Sequence, residues 1–382
     1  MTFVYMYYII LKVQQFPNTL QERDETMYKV GICGHFGIGK ELVNGQTDKT
    51  KAVYKALAKS LGEENITILD TCGWQKNPVK MLNSCRKLLS ECENVIMMPA
   101  RKGFKIFPSV FNTLNTVYSR KLHYVVVGGW LADRLKSNPS LIPPIKKLDC
   151  VYVELEQMKE ELNALGIENA VYMPNFRETN ALFPEELIYS TSEPYRLCTF
   201  SRIMRNKGIE EAADAVRYVN NKLGRTVYTL DIFGKVEPEY AERFSELCGE
   251  FENYITYRGF IESEASTQEL KNCFALLFPT VCEGEGFAGT IVDAFAAGVP
   301  VIATDWHYNA DIIRHLVDGM VYDSAKPELL GKILLETAKN PDTLNQMKLN
   351  CLGRAAHFNA DEAVITLIKN LGYGTEREVE HK

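Results

Sequence analysis

The residues from Cys282 to Trp306, C-E-G-E-G-F-A-G-T-I-V-D-A-F-A-A-G-V-P-V-I-A-T-D-W, combine a glycine-rich anion site with two carboxylates. Gly284, Gly286 and Gly289 let the backbone approach a ligand closely. A helix opening at Thr290 would offer free N–H groups and the positive end of its dipole to a negative charge. Glu285 in the loop and Asp293 in the first helical turn would repel that anion. They are useful there only if they grip neutral hydroxyls, and sugar and ribose hydroxyls fit. Asp293 has a second reading, because Thr290-Ile-Val-Asp293 is also an [ST]-x-x-[DE] capping pattern. Glu285 precedes the helix and has no such role.

Holding these residues takes a strand–loop–helix–strand unit, and the flanking pattern predicts one. A buried strand, Ala275–Phe278, runs into Pro279. A helix over Thr290–Ala297 stops at Gly298, with Pro300 behind it, and Val301–Thr304 is a second buried strand. Parallel sheets place ligands at the carboxyl ends of such strands. The same rhythm begins at Tyr28, with strands expected at Tyr28–Cys33, Ile66–Asp70, Val95–Met98, Tyr124–Val127, Val151–Glu154 and Val171–Met173. Between them Ala52, Val53, Ala56, Leu57 and Leu61 share one helical face, as do Met81, Leu82, Cys85, Leu88 and Leu89. Arg177 to Tyr195, with Pro184 and Pro194, reads as a linker. The rhythm restarts at Leu197–Ser201, Val227–Phe233 and Ile255–Tyr257, and the chain turns mostly helical from Pro327. The fold class is α/β, with parallel sheets covered on both sides.

The Cys282–Trp306 stretch resembles the nucleotide-sugar site of GT-B retaining glycosyltransferases, the group 1 family (family 4 type) of bacterial capsule, exopolysaccharide and lipopolysaccharide assembly. That family's signature is Glu, seven residues, Glu, then a stretch such as A-x-G-x-P-V-I-A. Glu285 and Asp293 stand at this spacing, with A-A-G-V-P-V-I-A behind them. Asp293 is one methylene shorter than the usual Glu at the ribose contact. The resemblance runs from Tyr28 to about Gly372. It implies two Rossmann-like domains facing a cleft: an acceptor domain at 27–180, a linker at 181–196, a nucleotide-sugar domain at 197–355, and a last helix (Ala360–Leu371) within 356–382 crossing back to the first domain.

The resemblance also implies residue roles. Ser201-Arg202-Ile-Met-Arg-Asn-Lys207-Gly208 is similar to the family's G-R-x-x-x-x-K-G, where Arg and Lys hold the donor diphosphate. Two cations and a helix dipole stabilise the charge that a departing diphosphate gains, so no metal and no cofactor is expected; Arg205 reads as a solvated bystander. Glu285 with Arg202 and Lys207 forms the catalytic set, Glu285 positioning the donor sugar rather than attacking it. Gly286, Phe287, Ala288, Gly289 and Thr290 line the donor, with Gly234 near the base. Gly45-Gln46-Thr47, preceded by Asn44, is similar to the family's G-G-Q loop opening the first long helix at the donor phosphate or the acceptor. Gly129, Trp130 and Asn175 are acceptor-side candidates; Trp130 either stacks on a sugar or packs. His35 and His123, which precedes a strand, match no motif for a general base, and the leaving phosphate would take the acceptor's proton. The implied reaction moves a hexose from a UDP-sugar, rather than a GDP-sugar, to a glycan or lipid-linked glycan.

Two other classes are open. Gly34 to Lys40 satisfies G-x-x-x-x-G-K after a strand, as an ATP-dependent phosphotransferase P-loop would. Glu41 stands where the magnesium-ligating Ser or Thr belongs, and the loop runs on through Asn44-Gly45-Gln46, which argues against it. A non-catalytic sugar-binding protein of the same fold would have lost Arg202, Lys207 or Glu285, and all three are present.

The length of 382 residues implies two or three domains, and 46% hydrophobic with 24% charged residues is ordinary for a globular chain. Ten cysteines without a C-x-x-C pair point to free thiols in a reducing cytosol. Residues 101–147 carry nine Lys/Arg against Asp133 alone, in a chain of net charge −6. That block either meets an anionic partner, a phosphorylated acceptor or a membrane that would place a cytoplasmic protein peripherally on the inner membrane, or is a solvated face. The acidic balance argues against nucleic acid. Residues 1–26, apolar and then polar, are too short in apolar run to span a bilayer and are expected to be an extension outside the fold, with an interfacial anchor as the other reading.

Overall fold

The computed structural model describes residues 27–39, 45–99, 101–176, 180–262 and 265–374. The expected N-terminal extension, Lys40–Asn44 of the first glycine loop, the start of the linker at 177–179 and the charged tail from Thr375 lie outside these residues.

The chain divides into two compact units. The first takes residues up to Val127, then Leu131–Met173, and the segment from Val364 onward. Its sheet consists of β1 (Tyr28–Gly34), β2 (Ile66–Asp70), β3 (Cys92–Met98), β4 (Lys121–Val125), β5 (Cys150–Val153) and β6 (Ala170–Tyr172). All six run parallel in the order β2-β1-β3-β4-β5-β6. Parallel strands need helical crossovers, which cover both faces, and that is why these strands read as apolar runs. The helix Ile365–Leu371 belongs to this unit, and Tyr373 behind it ties the segment down. Its hydroxyl donates to Glu93 at 2.6 Å and accepts from the Asn94 side chain at 3.2 Å.

The second unit takes Gly128–Trp130 and Pro174–Ala363. Its strands are β7 (Tyr195–Phe200), β8 (Tyr228–Phe233), β9 (Ile255–Gly259), β10 (Ala275–Phe278), β11 (Val301–Thr304) and β12 (Gly319–Tyr322). The parallel order β12-β11-β10-β7-β8-β9 starts in the middle, runs outward through β8 and β9, then jumps back to β10 on the other side of β7. Such a reversal opens a crevice at the carboxyl ends of the two central strands. Leu276 sits beside Val301 in the register, and every residue of β10 and β11 is buried.

Three expectations differ from the structure. β12 is a strand where none was expected; four residues opening on a glycine carry too little alternation to show one. His123 does not precede a strand but lies inside β4, fully buried, with Nδ1 3.1 Å from the Tyr152 hydroxyl. The stretch read as a linker packs on the second unit, because Leu182 N–H donates to Ala296 O and Ser190 exchanges two hydrogen bonds with the Asn345 side chain.

Candidate functional site

The loops that follow β7 and β10 leave the sheet side by side at the reversal. The first ends in a short 3-10 turn, Arg205–Lys207, followed by Gly208 in a left-handed conformation (φ 75°). A Cβ on Gly208 would fall 2.3 Å from the Pro279 carbonyl oxygen, so only glycine lets the two loops touch there. Val281 N–H then donates to Asn206 O at 2.9 Å and ties them together.

This contact puts Lys207 against Glu285. Lys207 Nζ donates to Glu285 Oε2 in a close ion pair whose side chains are only 8% and 12% exposed. The same ammonium lies 5.5 Å from the centroid of the Phe278 ring. Glu285 Oε2 also lies 3.1 Å from the Thr280 hydroxyl, which is fully buried. Trp306 Nε1 donates to Cys282 O at 2.9 Å and Thr304 Oγ1 to Thr280 O at 2.6 Å, holding the glycine loop from β11. A carboxylate with a cation and a hydroxyl on one oxygen keeps acceptor capacity on the other.

The helix behind the loop spans Gly289–Ala296, one residue earlier than expected, with Ala288 as its N-cap and no side-chain capping bond. Thr290 is therefore not the cap of a capping box. Its hydroxyl donates to Phe200 O at the end of β7, which fastens the helix start to the neighbouring strand. Asp293 is fully buried inside this helix.

Arg202 stands apart from the Lys207–Glu285 pair. Half exposed, it donates from Nη1 to Glu237 Oε1 at 2.9 Å. Gly234 closes β8, its carbonyl accepting from the Tyr257 hydroxyl at 3.0 Å. Gly128–Trp130 packs with the second unit. A Cβ on Gly286 would fall 2.5 Å from Gly129 N, a backbone-to-backbone contact that admits no side chain. Trp130 is half-buried. Asn175 donates to Phe287 O at 3.0 Å, and the Phe287 ring packs edge-on to Phe358.

In the first unit, Gln46 Nε2 donates to Met98 O at 3.0 Å, tying the start of the helix Gly45–Leu61 to the end of β3. His35 Nδ1 lies 2.9 Å from the Thr47 hydroxyl. The Gly34–Gly39 turn has its own anion: the Asp70 carboxylate accepts from Phe36 N (3.0 Å), Ile38 N (2.9 Å) and Cys72 N (2.9 Å). Burial works against that charge, but these amide bonds outweigh it and hold the carboxyl below its ordinary range. The Phe36 and Ile38 amides, which would cradle a nucleotide phosphate in a P-loop, are already taken. Lys49 is buried 3.8 Å from Glu154, and burial pushes its ammonium down to about 8 despite that partner. Among the described residues no three His, Cys, Asp or Glu side chains are placed to hold a metal ion.

Residues 194–340, which carry this pair and its loops, match the model of the family described as glycosyl transferases group 1. This part of the chain is similar to that family. The amylovoran biosynthesis glycosyltransferase AmsK of Erwinia amylovora is 25% identical over 213 residues, 54% of this chain. That match spans 49% of AmsK, about half its length. Over nearly the whole chain the fold resembles HepE of Anabaena in its complex with UDP (TM-score 0.70, 13% identity, 90% of this chain and 99% of that one). It also resembles the lipopolysaccharide outer core galactosyltransferase WaaB in its apo form (TM-score 0.64, 14% identity, the same coverage). These likenesses show the fold, the α/β GT-B class expected from the sequence.

Thr280 was missed in the sequence. Its signal was position, a hydroxyl two residues past the carboxyl end of a buried strand in a sheet whose ligands gather there. Glu237 and Asp70 were missed too, since each acts through partners far away in the chain.

Proposed function

We propose that the protein is a retaining glycosyltransferase that moves a hexose from a UDP-sugar to a glycan or lipid-linked glycan acceptor in surface polysaccharide assembly, without a bound metal. The observation that carries this reading is the Lys207–Glu285 pair at the β7/β10 reversal. The match of residues 194–340 to the group 1 family model supports it, as do the UDP in the HepE complex and the amylovoran and lipopolysaccharide roles in the names of AmsK and WaaB.

In this scheme the donor diphosphate takes Lys207 and Arg202 as counter-ions beside the uncapped start of the Gly289–Ala296 helix. Glu285, relieved of Lys207, turns to the sugar hydroxyls, with Thr280 steadying its carboxylate. As the sugar–phosphate bond breaks, charge grows on the leaving diphosphate, which takes the acceptor's proton on the same face. No separate base is needed: His123 is sealed inside β4. Asn175, which donates to Phe287 O, serves as an acceptor-side support. Incubation with UDP-, GDP- and ADP-sugars in excess EDTA tests the reading. Release of UDP, and a first-formed sugar product with the donor's anomeric configuration by NMR, supports it; inversion, or turnover only with added metal, refutes it.

We place the reaction in the cytosol, a location that the ten free cysteines suit. No helix among the described residues is long and apolar enough to cross a membrane. Contact with anionic lipid would use one end of the first unit's sheet at a time. Lys102 and Lys105 follow the carboxyl end of β3, whereas Lys121, Lys146 and Lys147 lie at the amino ends of β4 and β5. Vesicle co-sedimentation that shows no preference for anionic lipid removes this part of the proposal.

A further inference from the structure

The loops after β7 and β8 are bound to each other along a short backbone seam. Ile203 N–H donates to Lys235 O at 2.9 Å, Glu237 N–H donates to Ile203 O at 3.0 Å, and Ile203 pairs with Val236 as an isolated parallel bridge. Ile203 is fully buried, and Glu237 leads into the Pro238–Tyr240 turn, whose Tyr240 is buried. Both ends of the seam are therefore anchored. It holds two side chains opposite each other, Arg202 and Glu237, at 2.9 Å between Nη1 and Oε1, with 50% and 36% of the side chains exposed. A guanidinium free in solvent at the mouth of an anion site would need no such partner on a neighbouring strand's loop. Lys207, the other cation of this site, is likewise held by a carboxylate, Glu285.

We propose that Glu237 is a positioning residue: it is the counter-ion that Arg202 exchanges for the diphosphate of the nucleotide donor. This rests on the donor-site reading above. The exchange trades one carboxylate for a diphosphate, a denser charge with more acceptor oxygens, and Arg can bind it in a forked geometry. Giving up the Glu237 bond weakens every diphosphate ligand by the worth of that pair, so the residue lowers affinity for donor and for spent UDP alike and hastens product release. The half-exposed pair sets the size of the effect. Exposed pairs are worth about 0.2–1 kcal/mol, which is roughly a 1.4- to 5-fold change in Kd.

The test is a calorimetric double-mutant cycle with UDP as the probe, on the full chain carrying Glu237→Gln, Arg202→Gln, or both. Glu237→Gln is expected to tighten UDP about threefold. In the Arg202→Gln background the same change should leave the Kd unaltered, because no guanidinium is left to release. Equal tightening in both backgrounds would mean that Glu237 acts only as a distant negative charge, and the proposal fails. Unchanged or weaker UDP binding in Glu237→Gln alone, with wild-type binding intact, also overturns it. Wild-type protein that binds no UDP at all overturns the donor-site reading itself, and this inference with it. Thermal melts of the three variants close to wild type are expected, since both side chains are at the surface.

Discussion

Glu285→Gln and Lys207→Met break the same ion pair from its two ends, and a diphosphate site at Lys207 requires them to affect UDP binding in opposite directions. The pair is 8% and 12% exposed. Breaking a buried pair by removing one partner costs about 3–5 kcal/mol; the residual exposure of both groups brings the expectation down to about 2–3 kcal/mol. For a unit of this size each kcal/mol lowers Tm by about 2–4 °C, so either variant should melt about 5–10 °C below wild type. UDP then separates them. Glu285→Gln leaves the Lys207 ammonium without its carboxylate, so UDP recovers part of the lost stability and its shift exceeds the wild-type one. A ligand at 100 times its Kd contributes about 2.7 kcal/mol. Lys207→Met removes the cation, and the UDP shift shrinks or vanishes. Sugar transfer falls in both, by roughly 100- to 1,000-fold for loss of a group that stabilises developing charge. The assay is differential scanning fluorimetry with and without UDP in EDTA, beside turnover on the donor sugar. Equal UDP shifts in the two variants and in wild type would refute the placement of the diphosphate at Lys207.

Three further outcomes are expected. Thr280→Val keeps the shape of a fully buried residue but removes the hydroxyl beside Glu285; a hydrogen bond to a charged group is worth about 1.5–3 kcal/mol, so turnover should fall about tenfold or more while UDP binding stays within twofold of wild type. Gly286→Ala drives a methyl to 2.5 Å from the Gly129 backbone nitrogen; overpacking costs about 1–3 kcal/mol, and both Tm and turnover should drop, whereas Gly249→Ala, with open space around its Cβ, should leave turnover unaltered. His123 is fully buried, and burial brings its imidazole down to about 4, with Asp149 opposing. The unfolded chain therefore binds the extra proton first, and stability is lost as pH falls from about 6.5 towards 4, by an amount on the order of 3 kcal/mol. Urea melts at pH 7 and pH 4.5 should show a pH-dependent loss that is smaller in His123→Leu.

Much of the fold was legible because parallel strands covered on both faces are uninterrupted apolar runs, as in Ala275–Phe278 and Val301–Thr304, whose bounds agree in sequence and structure. β12 was not legible, since an edge strand of four residues opening on Gly319 has no pattern to read. At the site, Glu285 stood out because a carboxylate in a glycine loop has no structural excuse, and Lys207 because its spacing from Arg202 repeats a family motif. What the sequence could not show is pairing across the chain. Lys207 and Glu285 meet only because β7 and β10 are neighbours, a fact of strand order that no local pattern carries. Thr290 fitted a capping box by spacing, but a carbonyl on β7 competes for its hydroxyl and wins. The Gly34–Gly39 turn imitates a P-loop, but Asp70, at the end of the next strand, occupies its Phe36 and Ile38 amides.

Calorimetric titration of the wild-type chain with UDP in excess EDTA tests the central claim most directly. One-to-one binding is predicted, with a Kd on the order of 1 μM to 1 mM that stays the same when magnesium replaces EDTA. Absence of heat in both buffers, or binding that appears only with magnesium, would contradict a donor site whose charges are met by Arg202 and Lys207.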